Sequence, residues 1–145
     1  MKSLLCLTIA LLSFAQNPAH ADGVDLTITF QQVSNSVGQI YYALYASDTD
    51  YQNESNSAYQ GIIPATPGDV VTVAHNITPA TYALTAFHDE NGNGELDTGA
   101  FGIPKEQFGL SNIFNRLWSK PSFSDLSFDI SATAPNAINI LMKMH

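Results

Sequence analysis

Side-chain oxygens recur at alternate positions in Asp89-Glu90-Asn91-Gly92-Asn93-Gly94-Glu95-Leu96-Asp97. Asp89, Asn91 and Asn93 supply them, and Gly94 follows where a calcium loop turns sharply. Glu95 can offer its backbone carbonyl, and Asp97 stands at the ninth position. This is most of the hard-cation pattern D-x-[DN]-x-[DN]-G. Calcium takes about six to eight oxygens in a flexible shell, and a loop of alternating acceptors can wrap it. The departure is Ala100, which stands where an EF-hand places its bidentate Glu, and no flanking helices are predicted. Glu106 is the first candidate for the missing carboxylate. A site so short of charge suits extracellular Ca2+, roughly 0.1–1 mM. Three readings stay open: a weak calcium site, an Asn-Gly hairpin whose side chains cap its own backbone, or a site for another metal.

Other chemistry is sparse. Beyond residue 21 the histidines are His75, His88 and His145, with no zinc-pair spacing and no cysteine. No nucleophile elbow or phosphate-cradling glycine loop occurs. His88 beside Asp89 would be the acid–base pair of a small hydrolase, but strand alternation sends the two side chains to opposite faces. Glu90 and Glu95 resemble a glycosidase carboxylate pair only in composition. The sequence therefore predicts a non-enzymatic protein. Tyr41, Tyr45, Tyr51, Tyr59 and Trp118 are candidates for an exposed aromatic surface that binds glycan or a partner protein. Core and edge packing is the alternative for them, since Tyr is a good strand former.

Short strands must position these groups. Residues 25–33 alternate, with Leu26, Ile28 and Phe30 on one face. Residues 39–46 follow across a Ser34–Gly38 turn, which predicts a hairpin. The polar run 47–61 reads as a surface loop, with a short edge strand near 59–63. In 70–77, Val71, Val73, His75 and Ile77 share a face, and His75 reads as half-buried. Residues 82–88 are apolar on both faces, so this strand is predicted to be central. Ile77-Thr78-Pro79-Ala80-Thr81-Tyr82 resembles the turn that precedes a tyrosine corner, with Ala80 where Gly is expected. From 89 to 121 no strand or helix period persists, and five of the nine glycines fall there. A structureless stretch of that length is usually functional or ordered by an ion. Strands resume at 126–131 and at 138–144. The expectation is an all-β, antiparallel sandwich of about seven strands with one long irregular loop.

The 145 residues allow one domain, and only 12% of them are charged. Lys2, the apolar run 4–14 and Ala19-His20-Ala21 form a signal-peptide pattern, with cleavage expected after Ala21. The division is then 1–21 leader and 22–145 domain, located in the periplasm or secreted. The apolar run is too short to span a bilayer, and no second one follows. Removing Lys2 changes the formal charge from −8 to −9, with 13 acids against 4 basic residues. That balance excludes nucleic acid as a partner. Four of the 13 acids sit in the nine-residue turn, a crowding that a cation would relieve.

Tyr82 through Asp97, together with Phe101-Gly102-Ile103-Pro104-Lys105-Glu106-Gln107-Phe108-Gly109-Leu110-Ser111-Asn112, resembles a group of small exported bacterial proteins. The group is a domain-of-unknown-function family, numbered 2141, and the likeness runs over nearly all of 22–145. The joint pattern D-E-N-G-N-G-x-L-D and G-I-P-K-E carries it. The resemblance implies an exported immunoglobulin- or transthyretin-like sandwich with no established activity. In its second segment, Glu106 or loop carbonyls are expected to complete an ion shell, with Phe101 and Phe108 anchoring the loop on the core.

Overall fold

The computed structural model describes residues 22–112 and 119–144. The expected leader, Trp118 with its apolar neighbours, and His145 lie outside the described residues.

Two β-sheets pack against each other. The strands are β1 (Val24–Val33), β2 (Gln39–Tyr45), β3 (Tyr59–Pro64), β4 (Gly68–Ile77), β5 (Thr81–Asp89), β6 (Phe108–Leu110), β7 (Phe128–Asp129) and β8 (Asn136–Leu141). The first sheet has the order β4-β1-β8. The second has the order β3-β2-β5-β6, and β7 also pairs with β5. The all-β class is as expected. One more strand forms than expected, because β6 lies inside the stretch read as a single irregular loop. That stretch also holds a short 3-10 turn, Ala100–Gly102.

The all-antiparallel expectation is corrected. β1 and β8 run parallel, with Ile28 opposite Ile138 and Phe30 opposite Ile140. Only a tight hairpin obliges two strands to run antiparallel. β1 and β8 are the first and last strands, so no tight hairpin joins them and either direction is open to the pair.

Alternation builds the core. Leu26, Ile28 and Phe30 of β1 meet Ile40, Tyr42 and Leu44 of β2 and Tyr82, Leu84 and Ala86 of β5. Each large apolar side chain buried there contributes about 1.5–3 kcal/mol. β5 is central, between β2 and β6. The Tyr82 hydroxyl donates to the Thr78 carbonyl at 2.8 Å, so the corner bond forms despite Ala80. Burial raises the pKa of that hydroxyl above the ordinary tyrosine value.

Three local expectations fail for identifiable reasons. In β4, Asn76 adopts left-handed backbone (φ 59°) beside a break in the pairing with β1 between Val24 and Leu26. This bulge turns Ile77 inward, while Val71 and Val73 face outward. His75 is exposed rather than half-buried, its Nδ1 3.0 Å from Asp25 Oδ1. In the polar run, Ser47 caps a short helix α1 (Asp48–Asn53) by accepting from the Asp50 amide. The strand expected at 126–131 shrinks to β7, because a Ser122–Asp125 capping box starts a second helix, α2 (Phe123–Leu126). β8 stops at Leu141, with Met142 buried and Met144 exposed.

The two helices cover one end of the outer face of the second sheet. Tyr45, Tyr51, Ala83 and Leu126 form a small second cluster there. β6 reaches the sheet through Gly109, where an added Cβ would lie 2.4 Å from Ile140 Cγ2 and 2.9 Å from Met142 Sδ. Only glycine permits that approach of β6 to the β8 side of the core.

Candidate functional site

β5 ends at Asp89, which is 1% exposed. Its Oδ1 accepts from the Gly92 amide at 2.7 Å and its Oδ2 from the Gly94 amide at 2.8 Å. Both glycines are left-handed, which aims those amides back at the carboxylate. Asn91 Oδ1 accepts from the Asn93 amide at 3.0 Å, and Asn93 Oδ1 from the Glu95 amide at 2.9 Å. These bonds fix which end of each side chain is the NH2 group. Asn91 Nδ2 donates to Asp97 Oδ2 at 2.5 Å, and Asn93 Nδ2 to Asp97 Oδ1 at 3.0 Å.

Glu106 arrives from the far end of the loop and is 6% exposed. Its Oε1 accepts from the Glu90 amide at 3.0 Å and its Oε2 from the Asp97 amide at 3.1 Å. The structure thus brings Asp89, Asn91, Asn93, Asp97 and Glu106 into one turn. Glu95 is exposed and gives its amide to Asn93. Among the described residues, no three His, Cys, Asp or Glu side chains are placed as a metal cage. An ion in this turn would draw on Asn and carbonyl oxygens as well.

Sequence reasoning missed the groups that tie the turn to the rest of the fold. Gln107 Oε1 accepts from the Ser34 amide at 2.8 Å, and its Nε2 donates to the Gln32 carbonyl at 3.0 Å. Asn35 Nδ2 donates to Glu90 Oε1 at 2.9 Å. Gly38 (φ +70°) passes so close to Asp89 that a Cβ would meet its carbonyl oxygen at 1.9 Å. Position in the β1–β2 turn is the one signal that marks Asn35 and Gly38 in advance; no spacing rule marks Gln107.

His88 does not form the acid–base pair. It is fully buried, with Nε2 2.6 Å from the Val37 carbonyl. Among the described residues its Nδ1 has no hydrogen-bond partner, and it lies 3.9 Å from Glu90 Oε1. The Asp89 oxygens are taken by glycine amides, so a His88–Asp89 hydrolase site is not assembled.

A groove of about 1340 Å³ crosses the outer face of the second sheet. One wall is the loop after the acidic turn, through Leu96 and Pro104; the other is Tyr51 with Lys120. Tyr41 and Phe87 face each other across β2 and β5 on its floor, ring centroids 5.2 Å apart and 12° from coplanar. Of the aromatics proposed as exposed, Tyr41 lines this groove half-buried. Tyr45 and Tyr51 are buried in the second cluster, the core-packing alternative for these residues. Tyr59 is half-buried and bonded to Thr78, a contact that lowers its pKa. Phe101, expected as an anchor, is fully exposed and left-handed (φ 61°) at the loop tip. Phe108 is half-buried in β6.

A family profile described as an uncharacterized protein conserved in bacteria (DUF2141) matches residues 28–139. The chain belongs to the DUF2141 family. The DUF2141 match runs from β1 to β8, so the acidic turn and the groove floor both lie inside it. No curated protein and no solved structure matches the chain. No helix among the described residues is long and apolar enough to cross a membrane.

Proposed function

We propose that this DUF2141 chain is an exported, non-enzymatic binding module built on an immunoglobulin- or transthyretin-like sandwich. The ligand surface is the groove over the second sheet, and the observation that carries this reading is the Tyr41–Phe87 pair on its floor. Aromatic surface at the bottom of a cleft suits the flat apolar face of a sugar ring or a partner's side chain. Export is supported by the leader pattern of residues 1–21. The non-enzymatic reading is supported by the burial of His88. We expect β-1,4-linked oligosaccharides to shift groove resonances in an NMR titration, and Tyr41→Ala to weaken that binding at least about tenfold. Wild-type protein that shows no shifts would sink the glycan reading.

The acidic turn, which leads into one wall of the groove, is proposed as a weak Ca2+ site of Asp89, Asn91, Asn93 and Asp97, with the Glu95 carbonyl and Glu106 at its border. Clustered hard oxygens support this. Calcium would compete with the Asn91 and Asn93 NH2 groups for the Asp97 carboxylate, so affinity belongs near 0.1–1 mM, about the extracellular range. Melting in about 5 mM calcium should exceed melting in excess chelator by about 2–5 °C. Equal melting temperatures would remove the ion and leave the groove reading untouched.

A further inference from the structure

β4 ends the first sheet: it pairs with β1 on one side, and no other described strand pairs with its other edge. It is ten residues long and contains neither Lys nor Pro, the residues that commonly block an edge. The other edges are less open. β3 carries Gly61 and ends at Pro64, and backbone bonds between Phe108 and Lys143 join β6 to the segment just after β8. On β4, Asp69, Val71, Val73 and His75 all face outward, with Val71 61% and Val73 39% exposed. Unpaired backbone bearing apolar side chains is a template for a further strand.

The order of residues along β4 selects that strand. Place a two-fold axis at Thr72, perpendicular to the sheet, and pair β4 antiparallel with a second copy of itself. Thr72 then faces Thr72, Val71 faces Val73, and Asp69 faces His75 across the join. The four valines gather in one patch, closed at each end by an acid–imidazole pair with Asp25 beside it. Moving the axis to Val71 sets Asp69 against Val73, and moving it to Val73 sets Asp69 against Ile77. Charge and apolar matching therefore coincide in one register, which also keeps the core-facing residues of both copies on the same side.

We propose that the β4 edge is a homodimer surface, joining two three-stranded sheets into one of six strands. The test uses Val71→Cys and Val73→Cys made separately in a Cys6→Ser background, so that each chain carries a single thiol. In the proposed register the two different positions lie directly opposite, while like positions are diagonal at about 7–8 Å, near or beyond the limit of a disulfide. Mixing the two variants under mild oxidation should give at least about fivefold more disulfide dimer than either alone. Wild-type protein should dimerise with concentration in sedimentation velocity, and the Val71→Lys/Val73→Lys double variant should stay monomeric with unchanged circular dichroism. A wild-type chain that stays monomeric to about 1 mM, or equal disulfide yields from like and mixed pairs, overturns the proposal. Should the lysine variant misfold, the mixed-disulfide comparison decides alone.

Discussion

Glu106→Ala should destabilise the protein by about 2–5 kcal/mol, because two half-buried backbone amides lose a charged acceptor at once. Those amides belong to Glu90 and Asp97, at the two ends of the acidic turn. Among the described residues no other side chain accepts from both amides, so the variant should loosen the turn before the rest of the fold. Glu106→Gln keeps one carbonyl oxygen but aims an NH2 group at the second amide, and should cost about 1–3 kcal/mol. Urea denaturation gives both numbers, and amide exchange shows whether Gly92 and Gly94 lose protection first. A Glu106→Ala protein within about 0.5 kcal/mol of wild type would mean that water replaces the carboxylate freely.

The second large effect lies at the opposite wall of the groove. Tyr51→Ala should cost about 3–5 kcal/mol, as other buried aromatic deletions do. Tyr51 is 1% exposed, packs edge-on against Tyr45 and lies under the Lys120 ammonium, 4.7 Å from its ring centre. Burial first, and the Glu54 charge second, push its hydroxyl up to about 12. An unfolded tyrosine ionises near pH 10. Keeping Tyr51 neutral therefore contributes stability that is complete below about pH 10 and is lost as pH rises towards 12. Tyr51→Phe removes the ionisation and keeps the ring, so it should lose less stability than wild type between pH 9 and pH 11. Equal losses in the two proteins would assign the alkaline sensitivity to other buried tyrosines, Tyr42, Tyr45 and Tyr82 among them, whose pKa values burial also raises.

How much of this was legible depended on whether a pattern was local. β1 as far as Phe30, β2 and β5 are readable because their inward residues alternate; past Phe30 a bulge at left-handed Gln32 brings Val33 inward. In β4 the alternation misleads because one left-handed residue, Asn76, inverts the phase, and an Asn there does not by itself mark a bulge. α1 was hidden because it buries a single side chain, Tyr51, and so leaves no helical stripe; its Ser47–Asp50 cap was the available signal. The acidic turn was visible as a cluster, and Asp89, Asn91, Asn93 and Asp97 do meet. The fate of Glu106 was harder: its proximity was anticipated, but not that both of its oxygens would be committed to amides. The groove could not be foreseen, since its floor is assembled from residues on different strands and its walls from elements far apart in sequence.

The parallel pairing of β1 with β8 has a consequence in time. Every partner pair across that ladder is separated by 110 residues, and β1 is the middle strand of its sheet. A chain still emerging from a ribosome or a translocation pore cannot complete the first sheet until its final strand is free. Contacts this distant make folding slow relative to helical domains of similar size. They also delay closure of the first sheet until β8 has been made, whatever part of the second sheet has formed by then.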